Sequence, residues 1–328
     1  MEKVYAGQLA NAPERCFMRT LFGVGAIGEM IKEIQRTLAA AGFDPNGVDG
    51  WYGERTASAV RAFQETNGLP VSGTVDDQTW LALMGRPIPS VAERSLQLTA
   101  AFEGHGFGVA VGNFDGALLT WGIIGFTMIS GELQRIVLAV NQSHPELVQQ
   151  AFGAKSDELL KLMTGTPKLK KQWAEEHTLP NGALAEPWRS MFARFGSFPE
   201  VQRQQVKHVQ NDYMTPAMKT ATRLGLYSEL GLALCFDIHV QNGGIKRKAM
   251  EQIRKNSTPG MAEGDLRVVV ANAVADKADP KWSEDVRRRK LTVATGEGIV
   301  HGHQYVLENW GLSAQEKAIQ VLQMTAGD

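Results

Sequence analysis

Residues 95–132 read SLQLTAAFEGHGFGVAVGNFDGALLTWGIIGFTMISGE, and the rest of the chain is organised around them. Leu96, Ala100 and Glu103 recur at helical spacing, which places Glu103 on the apolar stripe of its helix. Gly104 and Gly106 follow at once and can end that helix. Burial on an apolar face favours the neutral form of a carboxyl group, the form a general acid needs near neutral pH. Twelve residues on, Asp115 lies in the polar, turn-like tetrapeptide Asn113-Phe114-Asp115-Gly116, where a carboxylate stays ionised and wet, as a general base requires. Two carboxylates in contrasting surroundings are the chemistry of glycoside hydrolysis. On spacing alone, a helix-terminal Glu followed by an ordinary turn Asp is the favoured reading.

The wider pattern favours the functional reading. Asp115-Gly116, Thr120, Gly122-Ile123-Ile124-Gly125 and Phe126-Thr127 form a segment that resembles the catalytic segment of family 46 glycoside hydrolases, the chitosanases. The resemblance implies that Glu103 is the general acid, that Asp115 is the base, and that Thr120 holds the attacking water. Two features depart from that family. Ala117 stands where its segment usually carries Arg, and the gap from Glu103 to Asp115 is short. Both departures bear on the substrate more than on the reaction.

Upstream, Ile31, Ile34 and Leu38 form one helical stripe, and Ala59, Val60, Phe63 and Gln64 lie on a second helix. Asp76 is placed to N-cap a third, which contains Trp80 and Leu83. The runs Ile34-Gln35, Val48-Asp49-Gly50, Tyr52-Gly53, Phe63-Gln64, Gly68-Leu69 and Thr79-Trp80 resemble the peptidoglycan-binding domain 1 family. That resemblance implies a murein-binding module over residues 27–87, with Asp49 and Tyr52 as candidates for ligand contact. Residues 1–26 read as a lead-in, and Arg86-Pro87-Ile88-Pro89-Ser90 as a linker, because two prolines fix extended backbone.

The catalytic part would then occupy residues 88–328. Helices are expected near 91–103, 131–141, 145–152, 155–164, 168–178, 185–195, 198–212, 215–224, 228–241, 244–255, 264–277, 283–291 and 312–324, with a short hairpin within 109–121. The expected fold is mainly α: a three-helix module plus a two-lobed, lysozyme-like helical domain with a small β element. In the second half, Phe236-Asp237, Val240 and Asn242-Gly243, then Gly244-Ile245 and Ala249-Met250, resemble the chitosanases more distantly, with Asn242 in place of their His. The resemblance implies that Asp237 and Arg289 form a network behind the catalytic Asp; a structural buried ion pair is the plainer reading and both can hold. Glu132, at a helix start, and Trp121 and His105, beside the carboxylates, complete the substrate-binding candidates.

Composition narrows the function classes. The chain has 328 residues, 43% of them apolar, and a formal net charge of −1, which argues against general nucleic-acid binding. Cys16 and Cys235 suggest neither a disulfide framework nor a metal site, and His301-Gly302-His303 has no third ligand at useful spacing, so no metal and no cofactor are expected. No secretory signal and no membrane span are read. The chain is therefore expected to be made in the cytoplasm and to act on the cell wall of a target or host cell. Delivery would fall to a secretion apparatus or phage holin, and an immunity protein is a further conceivable partner. Related muramidase domains of bacterial toxins and phage lysins share the scaffold implied by the resemblance. The leading expectation is a peptidoglycan hydrolase, a muramidase cutting between N-acetylmuramic acid and N-acetylglucosamine. The alternatives are a chitosanase anchored by the small module and a non-enzymatic wall-binding protein.

Overall fold

A computed structural model describes residues 19–104, 106–113, 116–315 and 318. The chain enters through a strand, β1 (Thr20–Phe22), followed by α1 (Glu29–Ala40) and α2 (Glu54–Thr66), then β2 (Val75–Asp76) and α3 (Asp77–Met84). Ile31, Ile34 and Leu38 of α1 meet Val60 and Phe63 of α2 and Trp80 of α3 in one apolar core, as the helical stripes imply. Asp76 caps α3 by accepting from the Thr79 amide at 2.7 Å. Two buried glutamines hold the loops. The Gln35 side chain donates to Asp49 and to the Trp51 carbonyl and accepts from Gly50, whereas Gln64 bonds Ser72, Gly73, Thr74 and Thr79. An amide with two donors and an acceptor can replace a missing backbone ladder in this way.

Residues 19–26, expected as a lead-in, are part of the packing. Strand β1 pairs antiparallel with β2 and lies against the 3₁₀ turn Leu307–Trp310, so a late segment of the chain closes onto the small module. The linker folds back as well. Its Arg86 and Pro87 carbonyls accept from the Trp80 indole, and the Arg86 guanidinium sits 4.7 Å above that ring.

Helix α4 (Val91–Glu103) opens with a capping box between Ser90 and Glu93 and is closed by Gly104 at φ 65°. It is buried almost all round, which identifies it as the central helix of the larger body. After it come β3 (Ala110–Val111), β4 (Thr120–Trp121) and β5 (Phe126–Thr127), one antiparallel sheet that includes the expected hairpin. Helices α5 (Glu132–Ser143), α6 (Pro145–Phe152), α7 (Ser156–Thr164), α8 (Pro167–His177), α9 (Trp188–Ser197) and α10 (Pro199–Val209) pack with this sheet as one lobe. A π-helical turn, Gln210–Met214, carries α10 into α11 (Thr215–Leu224). Pro216 has no N–H to continue the ordinary ladder, and the Thr215 amide reaches back five residues to the Gln210 carbonyl.

The other lobe is built from α4, α11, α12 (Glu229–Asn242), α13 (Arg247–Asn256), α14 (Glu263–Ala275) and α15 (Ser283–Thr295). A hairpin follows, β6 (Glu297–Val300) and β7 (His303–Val306), which the sequence reading lacked. His301 at φ 51° and Gly302 at φ 79° make its two-residue turn. The HGH run is therefore a turn and a strand start. The helix expected over 312–324 falls largely outside the described residues. Among the described residues no helix is long and apolar enough to cross a membrane.

Candidate active site

Glu103 is the last residue of α4, and its environment differs from the apolar one expected. Its side chain keeps 26% of its exposure, and Oε1 pairs with Arg289 Nη1 at 2.7 Å. Arg289 is buried and lies 5.1 Å over the Phe102 ring. Its other face grips Asp237, with Nη2–Oδ1 at 2.6 Å and Nε within 3.0 Å of both oxygens. Asp237 is fully buried and also accepts from Lys290 Nζ at 2.5 Å and Thr99 Oγ1 at 3.1 Å. Burial alone would raise the Asp237 pKa; the Arg289 and Lys290 charges and hydrogen bonds outweigh it and hold the carboxyl well below the usual range. The resemblance implied a link from this network to Asp115. The link described here runs to Glu103, while Asp115 and His105 lie outside the described residues.

Lys290 was missed because the basic run was read as Arg287-Arg288-Arg289, with Arg289 alone matched to Asp237. In fact Arg287 and Arg288 do face outward, toward Asp276 and Glu284, while the next two residues turn inward onto Asp237. Burial pushes the Lys290 ammonium down to about 8 despite its bond to Asp237. A lone carboxylate on the apolar stripe of α12 is the available signal, since it demands a buried cation somewhere.

A second polar group lines the sheet. Thr120 is nearly buried and stands opposite Thr127 in the β4–β5 register, so the two side chains share a face. Thr127 Oγ1 bonds Ser130 Oγ at 2.8 Å, and Ser130 bonds Glu132 at 2.9 Å. Glu132 also accepts from the Tyr213 hydroxyl and lies 3.4 Å from His208 Nε2. Burial raises the Glu132 carboxyl, but hydrogen bonds from His208, Tyr213 and Ser130 prevail and keep it below its ordinary pKa. Tyr213 owes its position to the π turn before Pro216, a feature no periodicity count reveals. No described hydrogen bond or ion pair joins this group to Glu103.

Two candidates for sugar contact are core residues. Trp121 points away from Thr120, is fully buried, stacks on Phe195 at 5.4 Å and donates its indole N–H to the Phe192 carbonyl. Tyr52 is fully buried and donates its hydroxyl to the Gly73 carbonyl at 3.0 Å. Both are thereby removed from the ligand-contacting set. Asp49 is exposed, but its Oδ1 is taken up by Gln35 and by the Trp51 amide, each at 2.8 Å, so it shapes the loop. A cavity of about 1560 Å³ between the small module and α9–α10 is lined by Lys32, Arg36, Gln97, Arg189 and Lys207 among others, but not by Glu103, Thr120 or Glu132.

A two-lobed helical body with a short sheet, beside a small three-helix module, is the architecture of a lysozyme-like domain joined to a binding module. Residues 103–265 match glycosyl hydrolase family 46, and residues 27–83 match the putative peptidoglycan binding domain, so the chain joins a peptidoglycan-binding module to a family 46 hydrolase domain. Among solved structures it is similar to the GH46 chitosanase of Gynuella sunshinyii in complex with chitotetraose, at 17% identity and a TM-score of 0.47, covering 67% of this chain and 98% of that one. It is also similar to a mutant chitosanase from Bacillus subtilis MY002 complexed with 6 GlcN, at 17% identity and a TM-score of 0.46, over 64% of this chain and 88% of that one. Among curated proteins, the N-acetylmuramoyl-L-alanine amidase CwlL of Bacillus licheniformis is 41% identical over 58 residues, covering 16% of either chain. The corresponding amidase XlyA of Bacillus subtilis (strain 168) is 50% identical over 48 residues, 13% of this chain and 16% of that protein. The chain thus spans a small fraction of the curated relatives it matches.

These findings correct the leading expectation. The catalytic part matches glycosyl hydrolase family 46, the family whose resemblance implied the chitosanase alternative, and the curated relatives, amidases by name, share only 13–16% of this chain. A muramidase cutting between N-acetylmuramic acid and N-acetylglucosamine is not supported, and the family match favours the chitosanase alternative over it.

Proposed function

We propose that this protein is a chitosanase-type hydrolase that cleaves β-1,4 bonds in a glucosamine-bearing glycan, with the small module holding it on insoluble wall polymer. The observation that carries the reading is Glu103, fixed by buried Arg289 at the end of α4 and standing at the first residue of the family 46 match. Glu103 protonates the leaving oxygen, Asp115 activates water, and Thr120 helps to place it. Glu132, kept anionic by its three donors, offers a carboxylate to the ammonium of an amino sugar. Tethering raises the local enzyme concentration at the polymer. The amidase chemistry in the relatives' names is not carried over, because the shared stretches cover only 13–16% of this chain.

The test is mass spectrometry of products from chitosan and from purified murein. Glucosamine oligomers released from chitosan, and lost by several orders of magnitude in a folded Glu103→Gln variant, are the expected result. A folded wild-type protein that releases nothing from chitosan, or an undiminished Glu103→Gln, would overturn it.

A further inference from the structure

Trp51 lies between Asp49-Gly50 and Tyr52-Gly53, and it is 53% exposed. An exposed indole on a surface loop is usually mobile, but this one is fixed at its backbone. The Trp51 amide donates to Asp49, and its carbonyl accepts from buried Gln35 at 3.1 Å and from Thr56 at 3.4 Å. The ring is fixed from the other side by the hydrolase domain. His303, on β7, stands edge-on to it with centroids 5.3 Å apart, and His303 Nε2 donates to the Gly25 carbonyl at 3.1 Å. Tyr305 backs His303 at 4.8 Å. A groove of about 420 Å³ opens here, lined by Val24, Gly25, Trp51, Gly302, His303 and Gln304.

We infer that this groove is a glycan subsite shared between the small module and the β6–β7 hairpin, and that it takes a neutral N-acetylated sugar of a murein strand. Its size falls in the range of small-ligand sites, roughly 300–1,000 Å³. Among the described residues its lining contains no Lys, Arg, Asp or Glu, which disfavours phosphate-bearing wall polymers and the carboxylates of muramic acid and stem peptides. A fixed indole offers a flat apolar face to the C–H groups of a pyranose, while the Gly302 backbone and the Nδ1 edge of His303 remain for its hydroxyl and amide groups. Because the ring is already ordered, binding costs little side-chain entropy. Asp49 contributes by holding Trp51. The inference rests on the small module being a wall-polymer anchor, and it locates the contact at the boundary with the hydrolase domain.

The experiment uses the full-length protein sedimented with purified murein sacculi and, separately, with chitosan beads, while turnover of soluble glucosamine oligomers is followed in parallel. Trp51→Ala should weaken murein binding by about tenfold or more, the usual effect of truncating an aromatic anchor, with unchanged soluble turnover. Trp51→Phe should lie between, and His303→Ala should weaken binding while leaving the module's core intact by circular dichroism. Equal murein binding by wild type and Trp51→Ala overturns the subsite and leaves the anchoring role standing. Loss confined to chitosan beads overturns the assignment to murein. Failure of the wild-type protein to sediment with murein removes the anchoring role and the subsite together.

Discussion

Asp237→Asn tests the network behind Glu103. The substitution keeps the shape of the side chain and removes its charge, where two buried cations and the Thr99 hydroxyl all donate to it. An amide nitrogen would face donors instead of accepting from them. Removing one partner of a buried pair costs about 3–5 kcal/mol, and the stranding of both Arg289 and Lys290 argues for the upper part of that range. At roughly 2–4 °C per kcal/mol for a domain of this size class, the melting temperature should fall by about 6–20 °C. Calorimetry, with urea unfolding as a second measurement, reads this directly. Lys290→Met alone should cost far less, because Asp237 keeps Arg289 and Thr99. Added to Asp237→Asn, it should restore part of the loss by removing one stranded cation, a coupling that independent, additive mutations would not show. A melting point within about 2 °C of wild type for Asp237→Asn would refute the claim that the carboxylate balances both cations.

Three further outcomes follow from the same geometry. Lys290 titrates near 8 in the folded protein and near 10.4 when unfolded, so the unfolded chain binds more protons between those values, and stability should rise with pH across that window. Lys290→Met should abolish this rise in urea titrations. Tyr213→Phe removes a donor that keeps Glu132 ionised; its carboxyl pKa should rise, and activity on an amino-sugar polymer should fail at a higher pH on the acid limb than in wild type. Gly104→Ala places a side chain at φ 65° with open space around it, so the cost is backbone strain of about 1–2 kcal/mol. Because that residue fixes the end of α4, kcat should fall more than KM rises.

The helices were legible because their apolar residues recur at helical spacing and their ends carry ordinary signals, such as Asp76 before α3 and Ser90 with Glu93 before α4. The β6–β7 hairpin was not, because Glu297–Val300 and His303–Val306 are each four residues long and the His-Gly turn was weighed as a metal motif. Burial of single aromatics was also hidden. Tyr52 and Trp51 are neighbours in one motif, and only the folded loop shows that the first is core and the second exposed. The partners of Asp237 depended on which residues of a basic run face inward, and that is set by how α15 packs on α12.

Helix α4 shows why the site depends on a single register. Arg94 bonds Glu229 at the start of α12 and, with Arg19, the Gly311 carbonyl. One and a half turns later Thr99 reaches Asp237 on the same α12, and Glu103, four residues beyond Thr99 and so on the same face, reaches Arg289. Phe102 packs edge-on against Tyr305 of the hairpin at 4.7 Å, and Tyr305 in turn backs the His303 that meets Trp51. Each residue advances about 100° around the axis, so a slip of one position would separate all of these contacts at once. The same helix thus sets the reach of Glu103 to Arg289, and through Phe102 it supports the hairpin against which the small module's exposed tryptophan rests. The positions of Glu103 and of Trp51 are consequences of one buried helix.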